Sequence, residues 1–144
     1  MFSKACEYGI KSTIYIAEQS IDGKRVSIKE VTKAINSPEA YTSKILQQLK
    51  KNEIISSDKG PGGGFSIDNI TMEKITLKDI VYSFDGDKIY KGCGLGLNQC
   101  NAVRPCPVHH EFAIIRDGLT RLLEETTIKS LALQLQGGLS FLKA

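Results

Sequence analysis

Hydrophobic residues recur along the N-terminal part of the chain at the spacing of an amphipathic helix. Residues 4–19 form the first predicted helix, in which Ile10, Ile14 and Ala17 share one apolar face. A polar turn at residues 21–24 ends this pattern. The helix is therefore expected to bury one side against a core and to expose the other.

Two further helices are predicted downstream, and a short break separates them. Residues 28–35 form one, because Ser27 with Glu30 three residues later is the sequence pattern of a capping box. Residues 36–38, Asn-Ser-Pro, interrupt the periodicity, and a proline suits the first turn of the helix predicted over 41–51. Two helices of this size joined by a short turn are typical of a helix-turn-helix.

A β-hairpin is predicted directly after this helix pair. Two short β-prone runs, at residues 54–57 and 65–67, flank the glycine-rich turn DKGPGGG. A hairpin in this position is a wing. The predicted fold class is mainly α with a small β-hairpin wing, a winged helix-turn-helix that continues into a long dimerisation helix.

The second half of the chain alternates helical and irregular patterns. Short helices are predicted over residues 77–84 and 128–136, and a long one over 107–125. The apolar residues of the long helix are spaced four, three, four and three, which is typical of a helix packed on a partner helix. They are Val108, Phe112, Ile115, Leu119 and Leu122. A helix lying on its own core would also fit this spacing.

The predicted organisation has three parts. Residues 1–84 form a winged helix-turn-helix DNA-binding domain. Residues 85–106 form a cysteine-rich loop, because they are rich in Gly, Asn and Asp and show no sustained period, and the cysteines make this loop the candidate cluster-binding region. Residues 107–144 form the dimerisation helix and a C-terminal helix.

Composition narrows the class of protein only in part. The 144 residues are 41% hydrophobic and 24% charged, which is typical of a soluble globular protein. A net charge of +3 is too small to indicate nucleic-acid binding by itself. No apolar run reaches a membrane span, and no secretory signal precedes the first helix, so we expect a cytoplasmic protein with no membrane partner. In a reducing compartment, cysteines crowded into one loop are metal ligands or redox sensors more often than disulfides.

DNA contacts are predicted at the start of the second helix of the pair and on the wing. A helix in the major groove needs polar side chains near its N-terminus that reach base edges. The chain provides Ser37, Glu39, Tyr41, Thr42, Ser43 and Lys44. On the wing, Lys59 is a cation for phosphate or the minor groove, and Gly60, Gly62 and Gly63 permit close backbone approach. A nucleotide-binding phosphate loop is excluded, since no Lys-Ser/Thr pair follows the glycines.

Three cysteines are the main candidates for chemistry. Cys93, Cys100 and Cys106 are separated by six and five residues. Structural zinc sites pair cysteines at closer spacing, whereas a Gly/Asn-rich loop can wrap thiolates around an iron–sulfur cluster. His109, three residues after Cys106, is expected on the same helix face. Free thiols or a thiol–disulfide switch are the alternatives, and Cys6 is interpreted as a buried small residue.

Most of the chain resembles the IscR/NsrR family of winged-helix iron–sulfur regulators. The segment LKKNEIISSDKGPGGGF at 49–65 resembles the end of the family's recognition helix and its wing. Residues 3–9 and 127–131 resemble its first helix and the segment after its dimer helix. The resemblance implies a homodimer in which two recognition helices and two wings read a partly palindromic double-stranded DNA operator.

The resemblance also implies two ways to complete a 2Fe–2S or 4Fe–4S cluster. IscR-like members use a histidine at the position of His109, whereas NsrR-like members use a carboxylate of the partner subunit at the position of Glu7. This chain has both residues. Its first cysteine gap is one residue longer than in typical IscR-like loops, and Glu replaces the usual Asp, so fourth ligand and cluster type stay open.

The predicted function is a DNA-binding transcriptional regulator, a repressor, whose operator binding responds to a cluster that senses nitric oxide, redox state or iron–sulfur status. A cluster-free winged-helix regulator controlled by thiol oxidation or a partner protein is the alternative. An acyl-transfer enzyme is disfavoured because no oxyanion-hole motif accompanies the Cys/His residues, so no enzyme activity is expected. An electron-transfer protein would leave the helix-turn-helix without a role.

Overall fold

The computed structural model describes all 144 residues, and it is mostly helical with one small antiparallel hairpin. The fold class predicted from the sequence is confirmed. In chain order the elements are α1 (Lys4–Ile21), α2 (Ile28–Ile35), α3 (Glu39–Lys51), β1 (Ser56–Asp58), β2 (Gly64–Ser66), α4 (Asn69–Lys74), α5 (Leu77–Asp85), α6 (Lys88–Lys91), α7 (His109–Glu125) and α8 (Ile128–Gln136). None of the helices combines the length and apolar character that a bilayer span requires.

Capping interactions set the ends of the helix-turn-helix, α2 and α3. Ser27 Oγ accepts from the Glu30 amide at 3.2 Å, and Glu30 Oε1 accepts from the Ser27 amide at 3.3 Å, which confirms the predicted capping box. Asn36 adopts a left-handed conformation (φ 52°) and ends α2. Pro38 precedes α3 as its N-cap residue, so α3 begins at Glu39, two residues earlier than predicted.

The wing is anchored to the segment in front of α2. Val26 and Phe65 exchange two backbone hydrogen bonds, of 3.0 and 2.7 Å, so Val26 forms an isolated antiparallel bridge with β2. Gly64 permits this approach, because a Cβ there would lie 2.7 Å from the Val26 carbonyl oxygen. A Cβ on Gly63 would collide with the Asp58 carbonyl oxygen. Packing within the wing is therefore sufficient to require a glycine at position 63. The close approach to DNA predicted for Gly63 stays a prediction.

Replacing Gly64 by alanine is expected to lower the free energy of unfolding by about 2 to 3 kcal/mol, because it adds a backbone clash to a strained φ. Gly64 has φ 131°. Urea denaturation followed by circular dichroism measures the change. Gly62→Ala is the control, since Gly62 has φ 75° but nothing within 4 Å of its Cβ position. An equal loss of unfolding free energy in the two variants would show that the close contact with Val26 does not require glycine at position 64.

The main core joins the helix-turn-helix to the C-terminal helix. Ile16 of α1, Leu46 and Leu49 of α3, and Ile128 and Ala132 of α8 belong to one buried cluster. Because α8 packs along α1, the C-terminal helix is part of the same packing unit as the DNA-binding half. The predicted division at residues 84 and 106 stays a prediction about functional regions.

Helix α7 has one side on its own chain and one side free. Leu123 is buried with Cys6, Val81 and Tyr90 in a second, smaller core, and Leu119 packs against it. Away from this core the helix exposes Ile114, Ile115 and Leu122, which are 69%, 66% and 53% accessible. The five-residue seam predicted as an intermolecular stripe is therefore divided between the chain's own core and solvent.

Two short helices were not predicted, and the start of α7 was placed too early. α4 begins at the cap made by Asp68, whose carboxylate accepts from the Thr71 amide at 2.8 Å. α6 lies inside the segment predicted to be an irregular loop. α7 begins at His109 rather than at residue 107, because Pro107 and Val108 form the turn before it.

Candidate functional site

The predicted DNA-contacting residues of α3 divide into surface and interior positions. Glu39 and Lys44 are exposed, and Tyr41 and Ser43 are half-buried. Ser37 and Thr42 are buried, and their hydroxyl oxygens are 2.5 Å apart. Thr42 Oγ1 also donates to the Pro38 carbonyl at 2.8 Å. Ser37 and Thr42 therefore hold the turn together within the chain; contact with DNA stays a prediction for all six residues.

The surface beside the start of α3 carries cations from α1 that the sequence reasoning missed. Tyr8 packs edge-on against Tyr41 at a ring-centroid distance of 5.4 Å. The Lys4 and Lys11 ammonium groups lie 5.3 and 5.9 Å from the centre of the Tyr8 ring. Their spacing of seven residues along one helix was the available signal. These lysines place two positive charges beside the Tyr8–Tyr41 pair.

At the wing tip, Lys59, Gly60 and Gly62 are exposed and Gly63 is half-buried. A wing that projects a lysine and bare backbone can approach a phosphate chain. Lys59 forms no ion pair within the chain, so its charge faces solvent. This placement is compatible with the predicted contact between wing and DNA, which stays a prediction.

The C-terminal end of α3 is bonded to the end of α5. Gln48 Nε2 donates to the Ser83 carbonyl at 2.6 Å, and Asn52 Nδ2 donates to Ser83 Oγ at 2.8 Å. Two residues later, the Asp85 carboxylate accepts from the Ser3 amide at 2.9 Å and from the Ser3 hydroxyl. The end of α5 therefore holds both α3 and the start of α1, and the chain runs from there into the cysteine segment.

The four in-chain ligand candidates form two neighbouring pairs. Cys100 Sγ lies 3.4 Å from His109 Nδ1, and the neighbouring Cys106 thiol contributes to the lowered pKa of Cys93. Cys106 and His109 are almost completely buried, and the other two sulfurs are partly accessible. All four cysteines of the chain are free thiols. No three His, Cys, Asp or Glu side chains are gathered closely enough to hold a single metal ion.

Cys93 is the thiol that its surroundings activate. The Leu95 amide donates to Cys93 Sγ at 3.4 Å, and this bond, assisted by the Leu97 amide and the Cys106 thiol, lowers the pKa of Cys93. A lower thiol pKa increases the thiolate fraction near neutral pH, and the thiolate is the form that binds metal or reacts with oxidants. The loop backbone therefore prepares Cys93 for either chemistry.

Arg116 is a member of this site that the sequence reasoning missed. Its Nη1 donates to Cys100 Sγ at 2.7 Å and to the Gly92 carbonyl at 3.3 Å. Arg116 follows His109 by seven residues, so both lie on one face of α7, and this spacing was the available signal. The guanidinium therefore fixes the position of the Cys100 sulfur beside α7.

The relation between Cys106 and α7 differs from the prediction. Cys106 lies before the helix, and the His109 amide donates to the Cys106 carbonyl at 3.0 Å. The two residues therefore do not share a helix face; a tight turn brings them to the same end of α7. Gly94 allows the loop to lie close to α7, because a Cβ at this position would be only 2.8 Å from the Phe112 ring.

Glu7 and Cys6 lie on α1, away from this loop in sequence. Glu7 is half-buried, and its carboxylate is 3.4 Å from Lys4 Nζ. Cys6 is fully buried, and burial, together with the negative charge of Asp85, raises the pKa of its thiol to about 12. The interpretation of Cys6 as a buried small residue is confirmed.

Comparison with known proteins identifies the family. The family model of Rrf2, described as an iron-dependent transcriptional regulator, matches residues 2–134. The chain belongs to the Rrf2 family. It is therefore a transcriptional regulator that binds DNA through a winged helix, and the resemblance to IscR-type regulators is confirmed.

Two relatives of this Rrf2 protein align with most of its length. A protein of Aquifex aeolicus (strain VF5) that carries the name of an HTH-type transcriptional regulator is 31% identical over 133 residues, 91% of this chain and 90% of the relative. IscR of Photorhabdus laumondii, also named an HTH-type transcriptional regulator, is 23% identical over 124 residues, 86% of this chain and 74% of that protein.

Solved structures with the same fold include both CymR and IscR regulators. CymR, the global cysteine regulator of B. subtilis, aligns with a TM-score of 0.74 and 21% identity, over 92% of this chain and 96% of CymR. T. potens IscR aligns with a TM-score of 0.72 and 16% identity, over 97% of this chain and 91% of IscR. At these identities the structures establish the fold only. The signal to which this Rrf2 protein responds must be argued from its own residues.

Proposed function

We propose that this Rrf2 regulator binds its operator as a homodimer and that an iron–sulfur cluster in the cysteine loop controls its affinity for DNA. The observation that carries the proposal is the placement of three thiols and an imidazole at one end of α7. Cys93 neighbours Cys106, and Cys100 neighbours His109, where the cysteine loop meets the start of α7. The loop lies between the DNA-binding half and α7 in the sequence.

The donor set suits iron in its chemistry. Thiolates and imidazole nitrogen are the side chains that hold iron–sulfur clusters. The two donor pairs must move together to share one cluster, and the backbone of the loop allows this movement, because residues 97–105 form no backbone–backbone hydrogen bond. Cys93, Cys100, Cys106 and His109 would hold the cluster, and Arg116 would remain beside the Cys100 sulfur.

Regulation would follow from the bonds at the end of α5. When bound, the cluster supplies a centre that reacts with nitric oxide or oxidants. Gathering the loop pulls on the segment that begins after Asp85, whose carboxylate holds Ser3, while Ser83 holds Gln48 and Asn52 of α3. A cluster that binds one arrangement of these helices more tightly than another shifts the DNA-binding equilibrium by that difference in affinity.

Dimerisation would place the free side of α7 against a second copy. Ile114, Ile115 and Leu122 form an apolar strip on a helix that otherwise packs on its own chain. Burying such a strip is the usual source of affinity between subunits. A dimer would also present two recognition helices to a palindromic operator.

A second candidate is a regulator in which thiol oxidation replaces the cluster. The Cys93 thiol has a lowered pKa, to which the neighbouring Cys106 thiol contributes, so Cys106 is the candidate partner for a disulfide. An oxidant such as a peroxide would accept two electrons and two protons as one S–S bond forms. The fold is shared with S. aureus CymR, whose structure is known in an oxidized form.

Anaerobic purification separates the two candidates. We expect a coloured protein that contains iron and acid-labile sulfide, with Mössbauer spectra that identify the cluster type. Operator affinity should then change when the cluster is removed or nitrosylated. A colourless protein whose DNA binding changes only after peroxide treatment would favour the thiol switch. If Cys93→Ala left operator affinity unchanged in every one of these states, both forms of regulation would be excluded.

A further inference from the structure

Arg25 connects the segment before α2 to the wing. Its Nη2 lies 3.0 Å from Asp58 Oδ2, and its Nη1 donates to the Gly62 carbonyl at 3.3 Å. Asp58 is the last residue of β1, and Gly62 belongs to the wing turn. All three residues line one polar cleft of about 840 Å³ between the turn after α1 and the wing. One guanidinium therefore holds both sides of the turn.

We propose that Arg25 is a positioning residue for DNA binding, which neutralises Asp58 and holds the wing turn in the conformation that lies against the DNA backbone. The inference concerns the wing itself and rests only on DNA binding by this family. It does not depend on which group in the cysteine loop senses the signal.

The charges on the wing explain why a neutralising residue is needed. Lys59, which faces solvent at the wing tip, follows Asp58 directly. DNA presents one negative charge per phosphate, and an unpaired carboxylate beside it is repelled. Asp58 and Lys59 alone are neutral together. With Arg25 bound to Asp58, the three residues carry one net positive charge. Phosphate then meets an attractive surface.

The ion pair is too exposed to be needed for folding. The Arg25 and Asp58 side chains are 48% and 54% accessible, and pairs in such surroundings contribute little to stability. The wing is already held by the two backbone bonds between Val26 and Phe65. Loss of Arg25 should therefore affect DNA binding and leave the free energy of unfolding almost unchanged.

The test is a double-mutant cycle between Arg25 and Asp58 on the full-length chain. The probe is a DNA duplex selected from a random-sequence pool with the wild-type protein, and affinity is measured by fluorescence anisotropy over a range of salt concentrations. We expect Arg25→Ala to weaken binding about tenfold, and Arg25→Ala/Asp58→Asn to recover most of that loss. Arg25→Lys should retain part of the affinity, since it keeps the charge and loses the fork.

Lys24→Ala provides the matched control, because Lys24 lines the same cleft without an ion pair. Asp58→Asn should not rescue any loss in Lys24→Ala. The proposal would be overturned if Arg25→Ala bound as tightly as the wild type. It would equally be overturned if the loss persisted in the double variant and the salt slope fell by about one, since Arg25 would then be a phosphate ligand. Thermal unfolding midpoints of all variants should agree with the wild type.

Discussion

Replacing Ile115 by aspartate is expected to convert the protein into a monomer and to weaken operator binding by about a hundredfold or more, since linked half-sites lose their avidity. Ile115 belongs to the exposed strip of α7, together with Ile114 and Leu122. A carboxylate buried there in a dimer would be left without a partner, which costs several times the contribution of an ordinary apolar contact. Analytical ultracentrifugation and fluorescence anisotropy measure the two effects.

Ile70→Asp is the matched control for this change. Ile70 is 71% accessible, a comparable exposure, but it lies on α4 outside the strip. We expect this variant to remain dimeric and to keep wild-type affinity. A wild-type protein that is monomeric at micromolar concentration, or a dimeric Ile115→Asp variant, would show that the free side of α7 is not the subunit interface.

The elements that the sequence predicted correctly are those whose signals are local. The capping box of Ser27 and Glu30 fixes the start of α2 within four residues of chain. The glycine-rich turn fixes the wing hairpin in the same way, and the register pairs Ser57 with Phe65 across it. Neither feature needs information from distant parts of the chain, so pattern and turn chemistry were sufficient.

Features that depend on tertiary packing could not be predicted from these patterns. Ser37 and Thr42 have the residue types of a DNA-reading surface, but folding of the turn buries them against each other. The wing glycine Gly63 is explained by the approach of a carbonyl within the same hairpin. α4, with six residues, is too short for a helical period to be visible, although Asp68 and Thr71 carry its cap.

The sequence predicted which residues belong to the candidate site, but it did not predict how they are arranged in space. Spacing identified the three loop cysteines and His109, but it could not show that they form two pairs. The spacing from His109 could place Arg116 on the same face of α7, but it could not show the contact with Cys100, which joins residues sixteen apart through a loop without a repeating pattern. Sequence therefore identifies the chemistry of a loop site, while the distances depend on how the loop folds back on α7.

Replacing Cys100 by alanine is expected to abolish iron and acid-labile sulfide in the anaerobically purified protein. Cys100 is the sulfur in contact with both His109 and Arg116, so its loss removes a thiolate and the partner of the imidazole. Two cysteines with one histidine leave an iron–sulfur cluster short of ligands. DNA binding by the variant should equal that of chelator-treated wild-type protein.

Cys6→Ala is the control for loss of a cysteine, since Cys6 is fully buried in the second core and has no place in the loop. This variant should keep the wild-type iron content. Retention of a full cluster in Cys100→Ala would contradict the assignment of the loop cysteines as ligands.

The fourth ligand is tested by His109→Ala and Glu7→Gln in parallel. His109 is already 3.4 Å from the Cys100 sulfur, whereas within the chain the Glu7 carboxylate pairs with Lys4. We therefore expect His109→Ala to alter the electron paramagnetic resonance spectrum of the reduced cluster and Glu7→Gln to leave it unchanged. His109→Cys should lower the reduction potential, because histidine ligation raises it relative to thiolate. The reverse pattern, a changed spectrum in Glu7→Gln alone, would assign the ligand to the carboxylate of α1 in the second subunit.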